Sequence, residues 1–154
     1  MEFLSRFMEL DEKDLKILGV LKENAKLTTS QISKKTKIPI TTVHNRIKGL
    51  EKVGVIKGYT VVLDHKLLGE EVLVYILVTV NYNIPGKKIS QEDIANQIKK
   101  SQNVEEVNIT TGENDMIVKA RFGSISQLND FITKTLRNIE GVDRTQTMVV
   151  LSEI

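Results

Sequence analysis

Residues 41–59 read TTVHNRIKGLEKVGVIKGY, and the first part of this stretch has the periodicity of an amphipathic helix. Val43, Ile47 and Leu50 recur at intervals of four and three residues, which places them on one apolar face. The opposite face carries hydrogen-bonding and basic side chains: Thr41, His44, Asn45, Lys48 and Lys52. The pattern predicts an amphipathic helix over residues 40–53, ended by a glycine cap.

Two shorter helices are predicted before this one. Asp11 begins the first, with a second acidic residue in its first turn, where the helix dipole favours negative charge. Thr28 and Gln31 are spaced as a capping box, which starts a second helix that stops near Thr36. The dipeptide Ile38-Pro39 then forms a turn, because proline disfavours a helical conformation at the residue before it.

Two helices joined by a tight turn, the second with a polar and basic outer face, form the arrangement that places a recognition helix in the major groove of DNA. Asparagine pairs with adenine, lysine reaches guanine, and threonine contacts a base edge or the thymine methyl group. The predicted DNA-contacting residues are Thr41, Thr42, His44, Asn45, Arg46, Lys48, Lys52, Lys34 and Lys57. Arg46 has the alternative role of pairing with an acid inside the domain, and His44 that of a neutral spacer.

The basic charge is concentrated in the same part of the chain. Residues 1–60 contain 12 Lys and Arg against 7 Asp and Glu, whereas residues 61–154 contain 10 against 13. A basic module joined to a mildly acidic one indicates that the first half holds an anionic partner, here double-stranded DNA. Two alternatives stay open: a solvated lysine-rich surface, and a three-helix module that binds other proteins.

The second half has the order of elements of a ferredoxin-like βαββαβ domain. Strands are predicted from runs of apolar and β-branched residues, and helices from capping serines followed by apolar residues at helical spacing. The predicted elements are a strand at 70–80, a helix from Ser90, strands at 104–111 and 116–122, a helix from Ser124 and a strand at 144–151. We therefore expect an α+β protein with a winged-helix-like helix-turn-helix domain at 1–59, an extended linker at 60–69 and the ferredoxin-like domain at 70–154.

The first strand of the second domain is apolar on both of its faces. Leu73, Tyr75 and Leu77 alternate with residues that are equally apolar. Two helices can cover only one face of a four-stranded sheet, so the other apolar face needs a cover. An identical sheet from a second chain is the economical candidate, and a two-fold dimer would present two recognition helices to half-sites about one helical turn apart. A homodimer is therefore expected.

Several functional classes are disfavoured by the sequence. The chain contains no cysteine, which excludes disulfides, thiol catalysis and Cys-based zinc sites. No residues near His65 complete a metal site, and the motifs of zinc proteases, dinucleotide-binding proteins, P-loop NTPases and serine hydrolases are absent. Neither an enzyme activity nor a cofactor is expected. The longest apolar run, residues 72–80, is shorter than the ~20 residues that span a bilayer, so a cytoplasmic protein is expected.

Four stretches follow one another along the chain in an order typical of one family. They are LDEKDLKIL (10–18), TTVHNRIKGLEKVGVIKGY (41–59), TGENDMIVKARF (111–122) and IEGVDRTQT (139–147). Together they make the sequence resemble the Lrp/AsnC family of bacterial and archaeal transcription regulators over nearly its whole length. The resemblance implies a helix-turn-helix domain joined to an amino-acid-binding domain, dimers formed by face-to-face sheets, and further assembly into tetramers or octamers.

By the same resemblance, an amino acid or related metabolite binds near a Gly-x-x-Asp turn, which here runs from Gly112 to Asp115. Glycine lets backbone amides approach a ligand carboxylate, and an aspartate can accept from an ammonium group. The candidate effector-binding residues are Thr111, Gly112, Glu113, Asn114 and Asp115. The alternative is a plain hairpin turn in which Asp115 caps its own backbone.

The chain departs from this family at the start of the recognition helix. A serine usually caps that helix, and this chain has Ile38-Pro39 in its place, so the cap must come from Thr41 or be absent. Ser33 also stands where the family usually has alanine. The sequence leaves open whether the protein is a sequence-specific regulator or an architectural protein that compacts DNA, which would differ in their specificity ratio.

Overall fold

The computed structural model describes residues 10–153. Within them the chain forms two compact units that divide between Val62 and Leu63, which is inside the linker predicted for residues 60–69. The start of the first predicted domain, at residue 1, lies outside the described residues.

The N-terminal unit consists of three helices, α1 (Glu12–Glu23), α2 (Thr29–Thr36) and α3 (Ile40–Lys52). The first two begin with capping boxes. In α1 the side chain of Asp11 accepts from the Asp14 N–H, and the side chain of Asp14 accepts from the Asp11 N–H. Thr28 and Gln31 form the same pair of hydrogen bonds at the start of α2. The core of the unit is built from Ile17, Ile32, Ile38 and Val43. This arrangement confirms the predicted helix-turn-helix.

The turn between α2 and α3 is short and is held by a side chain. Lys37 adopts a left-handed conformation with φ 57°, which ends α2. The Ser33 hydroxyl donates to the Ile38 carbonyl (2.6 Å), so the residue that differs from the family's usual alanine ties α2 to the turn. After α3, Gly54 has φ 80° and follows the helix end as predicted. Residues 55–62, all of them described, form no β-strand, so no β-wing follows α3.

The C-terminal unit is a four-stranded antiparallel sheet with helices packed on one face. Its elements are β1 (Val72–Val80), α4 (Gln91–Lys99), β2 (Val104–Ile109), β3 (Met116–Phe122), α5 (Ile125–Asp130) and β4 (Val142–Val149). A π-helical turn (Phe131–Thr135) and a 3-10 turn (Leu136–Asn138) extend α5. The strand order β2-β3-β1-β4 is that of a ferredoxin-like sheet and confirms the predicted βαββαβ domain.

The ends of the strands differ from the prediction by a few residues. The strand predicted from residue 144 begins at Val142, because Gly141 (φ 95°) completes the preceding turn and the backbone pairs with β1 directly afterwards. The strand predicted to reach residue 111 ends at Ile109, because the Thr110 N–H donates to the Asp115 carbonyl (2.8 Å) and closes the hairpin there.

The two faces of the sheet have different surroundings. On the face covered by helices, Val74, Ile76 and Val78 of β1 are fully buried. The opposite face, called the open face below, presents the large side chains of Leu73, Tyr75, Leu77, Ile117 and Met148. The side of the sheet away from its own helices therefore carries apolar side chains beside the polar Lys119, Arg121 and Gln146.

Candidate DNA interface and effector turn

α3 presents the two faces that its sequence predicts. Val43 and Leu50 are fully buried, and Ile47 is half-buried against the core of the unit. The other face exposes the side chains of Thr41, His44, Asn45, Lys48 and Lys52, whereas Thr42 is half-buried. Hydroxyl, imidazole, amide and ammonium groups therefore share one helical face, and these are the groups that recognise base edges in the major groove.

The first turn of α3 has no side-chain cap. Its N-cap residue is Pro39, which makes no side-chain hydrogen bond to the helix, so the absent cap is the alternative that the structure supports. This turn also contains no acidic residue, in contrast to the first turns of α1 and α4. The helix dipole therefore leaves an uncompensated positive potential at this end, which favours an approaching phosphate.

Arg46 differs from the other predicted DNA-contacting residues. Its guanidinium pairs with Asp14 (3.1 Å) and with Asp11 (2.7 Å), the two residues of the α1 capping box. The Asp14 side chain is 1% exposed, so Arg46 supplies the positive charge that balances a buried carboxylate. The structure supports the alternative role of Arg46, an ion pair inside the unit, and its contact with DNA stays a prediction.

Four lysines of the predicted interface are exposed and form no ion pair within residues 10–153: Lys34, Lys48, Lys52 and Lys57. Glu51, the single acid between residues 28 and 60, instead accepts a hydrogen bond from the Tyr59 hydroxyl (2.7 Å). The ammonium groups are therefore available to phosphates.

Lys34→Ala is expected to weaken binding to every DNA sequence alike, because an exposed lysine on α2 can hold a phosphate without reading a base. The slope of log K against log salt concentration should decrease by about one unit, measured by fluorescence anisotropy over a range of salt concentrations. Lys100→Ala, which removes an exposed lysine of the C-terminal unit, is the matched control and should leave the slope unchanged. An unaltered slope for Lys34→Ala would remove this residue from the interface.

The candidate effector turn connects β2 to β3. Gly112 has φ 116°, a conformation that glycine adopts without strain. The turn is closed by the Thr110 N–H, which donates to the Asp115 carbonyl, and by the Thr110 hydroxyl, which donates to the Asn114 carbonyl (2.8 Å). Of the five candidate residues, Thr111, Gly112 and Glu113 are exposed, and Asn114 and Asp115 are half-buried.

The Asp115 side chain does not cap its own turn. One carboxylate oxygen accepts from the N–H of Val80 at the end of β1 (2.7 Å). The other accepts from the Tyr82 hydroxyl (2.5 Å) and from the side-chain amide of Gln91, the first residue of α4 (2.8 Å). Burial opposes ionisation of this carboxyl, but the three hydrogen bonds outweigh burial and hold the pKa of Asp115 below its ordinary value. Asp115 therefore fixes the hairpin to β1 and α4, and the backbone-capping alternative is wrong.

Tyr82 and Gln91 were not predicted as site residues. They lie 33 and 24 residues from Asp115 along the chain. Neither takes part in an apolar repeat, so hydrophobic periodicity gives no sign of them. The sequence indicates them only through their positions directly after β1 and at the start of α4, because the topology brings both places to the edge of the sheet where the hairpin turns.

His65 makes an internal contact, and the described residues show neither a metal site nor a membrane-spanning helix. His65, for which only a structural role was expected, has Nδ1 at 2.9 Å from the Glu70 carboxylate. Across residues 10–153, no group of three or more His, Asp or Glu side chains is arranged to hold a metal ion. In the same residues, no helix has the length and apolar character needed to cross a membrane.

Comparison with known proteins identifies both units. Residues 73–154 match the family described as Lrp/AsnC ligand binding domain, and residues 10–57 match the one described as winged helix-turn-helix DNA-binding. An uncharacterised HTH-type transcriptional regulator of Pyrococcus furiosus is 40% identical over 144 residues, which is 94% of this chain and 93% of that one. The HTH-type transcriptional regulator FL11 of the same organism is 39% identical over 142 residues, 92% of this chain and 89% of its own length.

Solved structures share the fold over the same length. A transcriptional regulator of Neisseria meningitidis, solved as its L-Met complex, is 30% identical with a TM-score of 0.86, and the match covers 94% of this chain and 92% of that one. LrpC of B. subtilis is 31% identical with a TM-score of 0.82, covering 96% of this chain and 98% of its own. These similarities identify a transcriptional regulator with a helix-turn-helix and a ligand-binding domain, which is not an enzyme. The chain belongs to the Lrp/AsnC family of transcriptional regulators.

Proposed function

We propose that the protein is a sequence-specific regulator that binds double-stranded DNA as a homodimer and responds to an amino acid. In this proposal residues 1–59 bind DNA, residues 60–69 are a linker and residues 70–154 assemble the dimer and bind the effector. The observation that carries it is the exposed face of α3, where Thr41, His44 and Asn45 stand together on the side opposite the core.

The exposed residues of α3 and its surroundings have different roles in this proposal. Asn45 pairs with an adenine, Lys48 reaches a guanine, and the hydroxyl of Thr41 contacts a base edge. The phosphate contacts come from Lys34, Lys52 and Lys57, which set the register of the protein on the duplex without reading sequence. His44 lies between the base-reading residues, Thr42 is half-buried at their edge, and Arg46 is left out because it pairs with Asp11 and Asp14.

The alternative is an architectural protein that binds DNA through phosphates alone. Such a protein needs exposed lysines, which this chain has, but it does not need an amide and a hydroxyl grouped in the first two turns of a recognition helix. The grouping of Thr41, His44 and Asn45 on the same helix face as Lys48 and Lys52 therefore favours base readout over compaction without specificity.

The homodimer is proposed from the open face of the sheet. Its apolar side chains, among them Tyr75, Leu77 and Met148, are not part of the core between the sheet and its helices. Two of its cations form ion pairs within the chain: Arg121, 6% exposed, contacts the carboxylates of Glu105 (2.6 Å) and Glu153 (2.6 Å), and Lys119 contacts Glu105 (2.8 Å). A face with apolar side chains and internally paired cations suits a symmetric contact with a second copy, and tetramers or octamers would then form from dimers.

The amino-acid effector is proposed for the turn over residues 111–115. The backbone at Gly112 is open to solvent and lets amide groups approach a ligand carboxylate. The Neisseria meningitidis relative was solved with L-Met bound, which supports an amino acid as the class of effector. Because Asp115 already accepts from Tyr82 and Gln91, it holds the turn in shape, and a ligand ammonium would have to share this carboxylate with them.

The test is a fluorescence-anisotropy titration of two duplexes, the DNA upstream of the protein's own gene and a scrambled duplex of the same composition. We expect the native duplex to bind roughly a thousandfold more tightly. Asn45→Ala is the matched variant, because it removes one base contact and keeps every lysine. It should lose about 1–3 kcal/mol of discrimination at one base pair.

If the native and scrambled duplexes bind equally, the titration is repeated with duplexes selected from a random pool. Equal affinity in that comparison too would support the architectural alternative. The effector part is tested by repeating the titration with a pool of amino acids. A shift in affinity that Gly112→Val abolishes would support the turn as the binding site, since valine cannot readily adopt φ 116°. A shift that survives this substitution would place the effector elsewhere.

A further inference from the structure

An isoleucine is exposed in the first turn of α3, on the border between the apolar stripe of Val43 and Ile47 and the polar face. Ile40 is the first residue of the helix and is 48% exposed. It lines a shallow depression of about 380 Å³ together with Thr29, Thr41, His44 and Asn45. Ile40 is the one aliphatic side chain among the five that form this depression.

The position of Ile40 follows from the way α3 begins. Pro39 occupies the N-cap, so the helix starts at Ile40. Residues four apart lie on the same side of a helix, which puts Ile40 beside His44 and Thr41 beside Asn45. A single exposed isoleucine is ordinary on a protein surface. This one, however, adjoins the side chains proposed to read bases, at the end of α3 that carries no negative charge in its first turn.

The major groove offers an aliphatic side chain one specific partner. Hydrogen-bond donors and acceptors line the edges of all four base pairs, whereas the apolar feature is the C5-methyl group of thymine. We propose that Ile40 is a specificity-determining residue that recognises a thymine methyl group next to the base pair contacted by Asn45. This inference rests on the proposed function, because it requires α3 to enter the major groove.

The occupant of the depression follows from its surroundings. Thr41 and Asn45 at its border suit base edges, and exposed lysines flank the same helix face, so the partner with complementary charge is DNA. An apolar surface for another protein would instead require further exposed apolar residues around Ile40, and the depression contains none. Thr41 also carries a methyl group, so the experiment must separate the contribution of Ile40 from that of its neighbour.

The test is a double-mutant cycle between the protein and the DNA. The probe is the tightest-binding duplex selected by the full-length protein from a random pool, made once with thymine and once with uracil at every thymine position. Uracil lacks only the methyl group. The wild type is expected to bind the thymine duplex more tightly by roughly fourfold for each methyl group that Ile40 covers, from the free energy of burying one such group.

Ile40→Ala should lose this preference and bind both duplexes alike, and single thymine-to-uracil changes should then locate the methyl group. Leu15→Ala is the matched control, because Leu15 is an exposed aliphatic residue of α1 (57% exposed) that does not line the depression. Thermal unfolding checks that the variants remain folded.

Three outcomes would overturn the inference while the proposed function stood. The wild type could discriminate between sequences but not between thymine and uracil, or the Ile40→Ala variant could keep the thymine preference. In the third outcome the thymine preference disappears only with Thr41→Ser. A wild type with no sequence preference at all would instead contradict the proposed function itself.

Discussion

Arg46→Ala is expected to lower the free energy of unfolding of the N-terminal unit by about 3 kcal/mol. The guanidinium is the cation that pairs with Asp14, whose side chain is 1% exposed, and it also reaches Asp11 in the same capping box. Removing it leaves a buried carboxylate without its counter-charge and loosens the contact between α3 and the start of α1. Urea unfolding followed by circular dichroism gives the magnitude, and hydrogen exchange of α1 and α3 amides shows that the loss lies in this unit.

Two variants make the Arg46 result specific. Arg46→Lys keeps the charge but loses the planar fork that contacts two carboxylates, so an intermediate loss of about 1–2 kcal/mol is expected. Lys48→Ala removes an exposed cation from the same helix and should change stability by less than about 0.5 kcal/mol. If Arg46→Ala were as stable as the wild type but reduced the salt slope of DNA binding by about one unit, the result would support the predicted contact of Arg46 with DNA.

Local sequence signals predicted the elements of this fold because they act over a few residues. The capping box predicted at Thr28 involves groups three positions apart and forms as expected, and Asp11 begins α1 as predicted. The stripe of Val43, Ile47 and Leu50 needs only helical periodicity to be recognised. Runs of apolar and β-branched residues likewise predicted the four strands, with errors confined to their ends.

The roles of individual polar residues were predicted less well, because they depend on partners that are distant in sequence. Arg46 meets Asp14 across 32 residues, and Asp115 meets Tyr82 across 33. Nothing in the local pattern separates an arginine that pairs inside the unit from one that faces DNA. An aspartate in a Gly-x-x-Asp turn likewise has the same sequence signature whether it caps its own backbone or anchors a neighbouring strand. Only the packed structure distinguishes these alternatives.

Leu77→Asp is expected to convert the proposed dimer into monomers at micromolar concentration. Leu77 is half-buried on the open face, between Ile117 and Gln146 on the neighbouring strands. In a single chain an aspartate at this position can remain hydrated, so the fold should persist. In a two-fold dimer the substitution places two unpaired carboxylates in the contact, each with a desolvation cost of several kcal/mol. Dimer affinity should therefore fall roughly a thousandfold or more, measured by sedimentation velocity over a dilution series.

The choice of position decides what this experiment can distinguish. Leu73 lies on the same face but is only 5% exposed within one chain, so an aspartate there would destabilise the fold and confuse dissociation with unfolding. Ile125→Asp is the matched control, because Ile125 begins α5, is 59% exposed and lies outside the open face. It should leave the dimer intact. If Leu77→Asp dimerised as tightly as the wild type, the open face could not be the dimer contact. The spacing of two recognition helices on DNA would then have to be set by another surface.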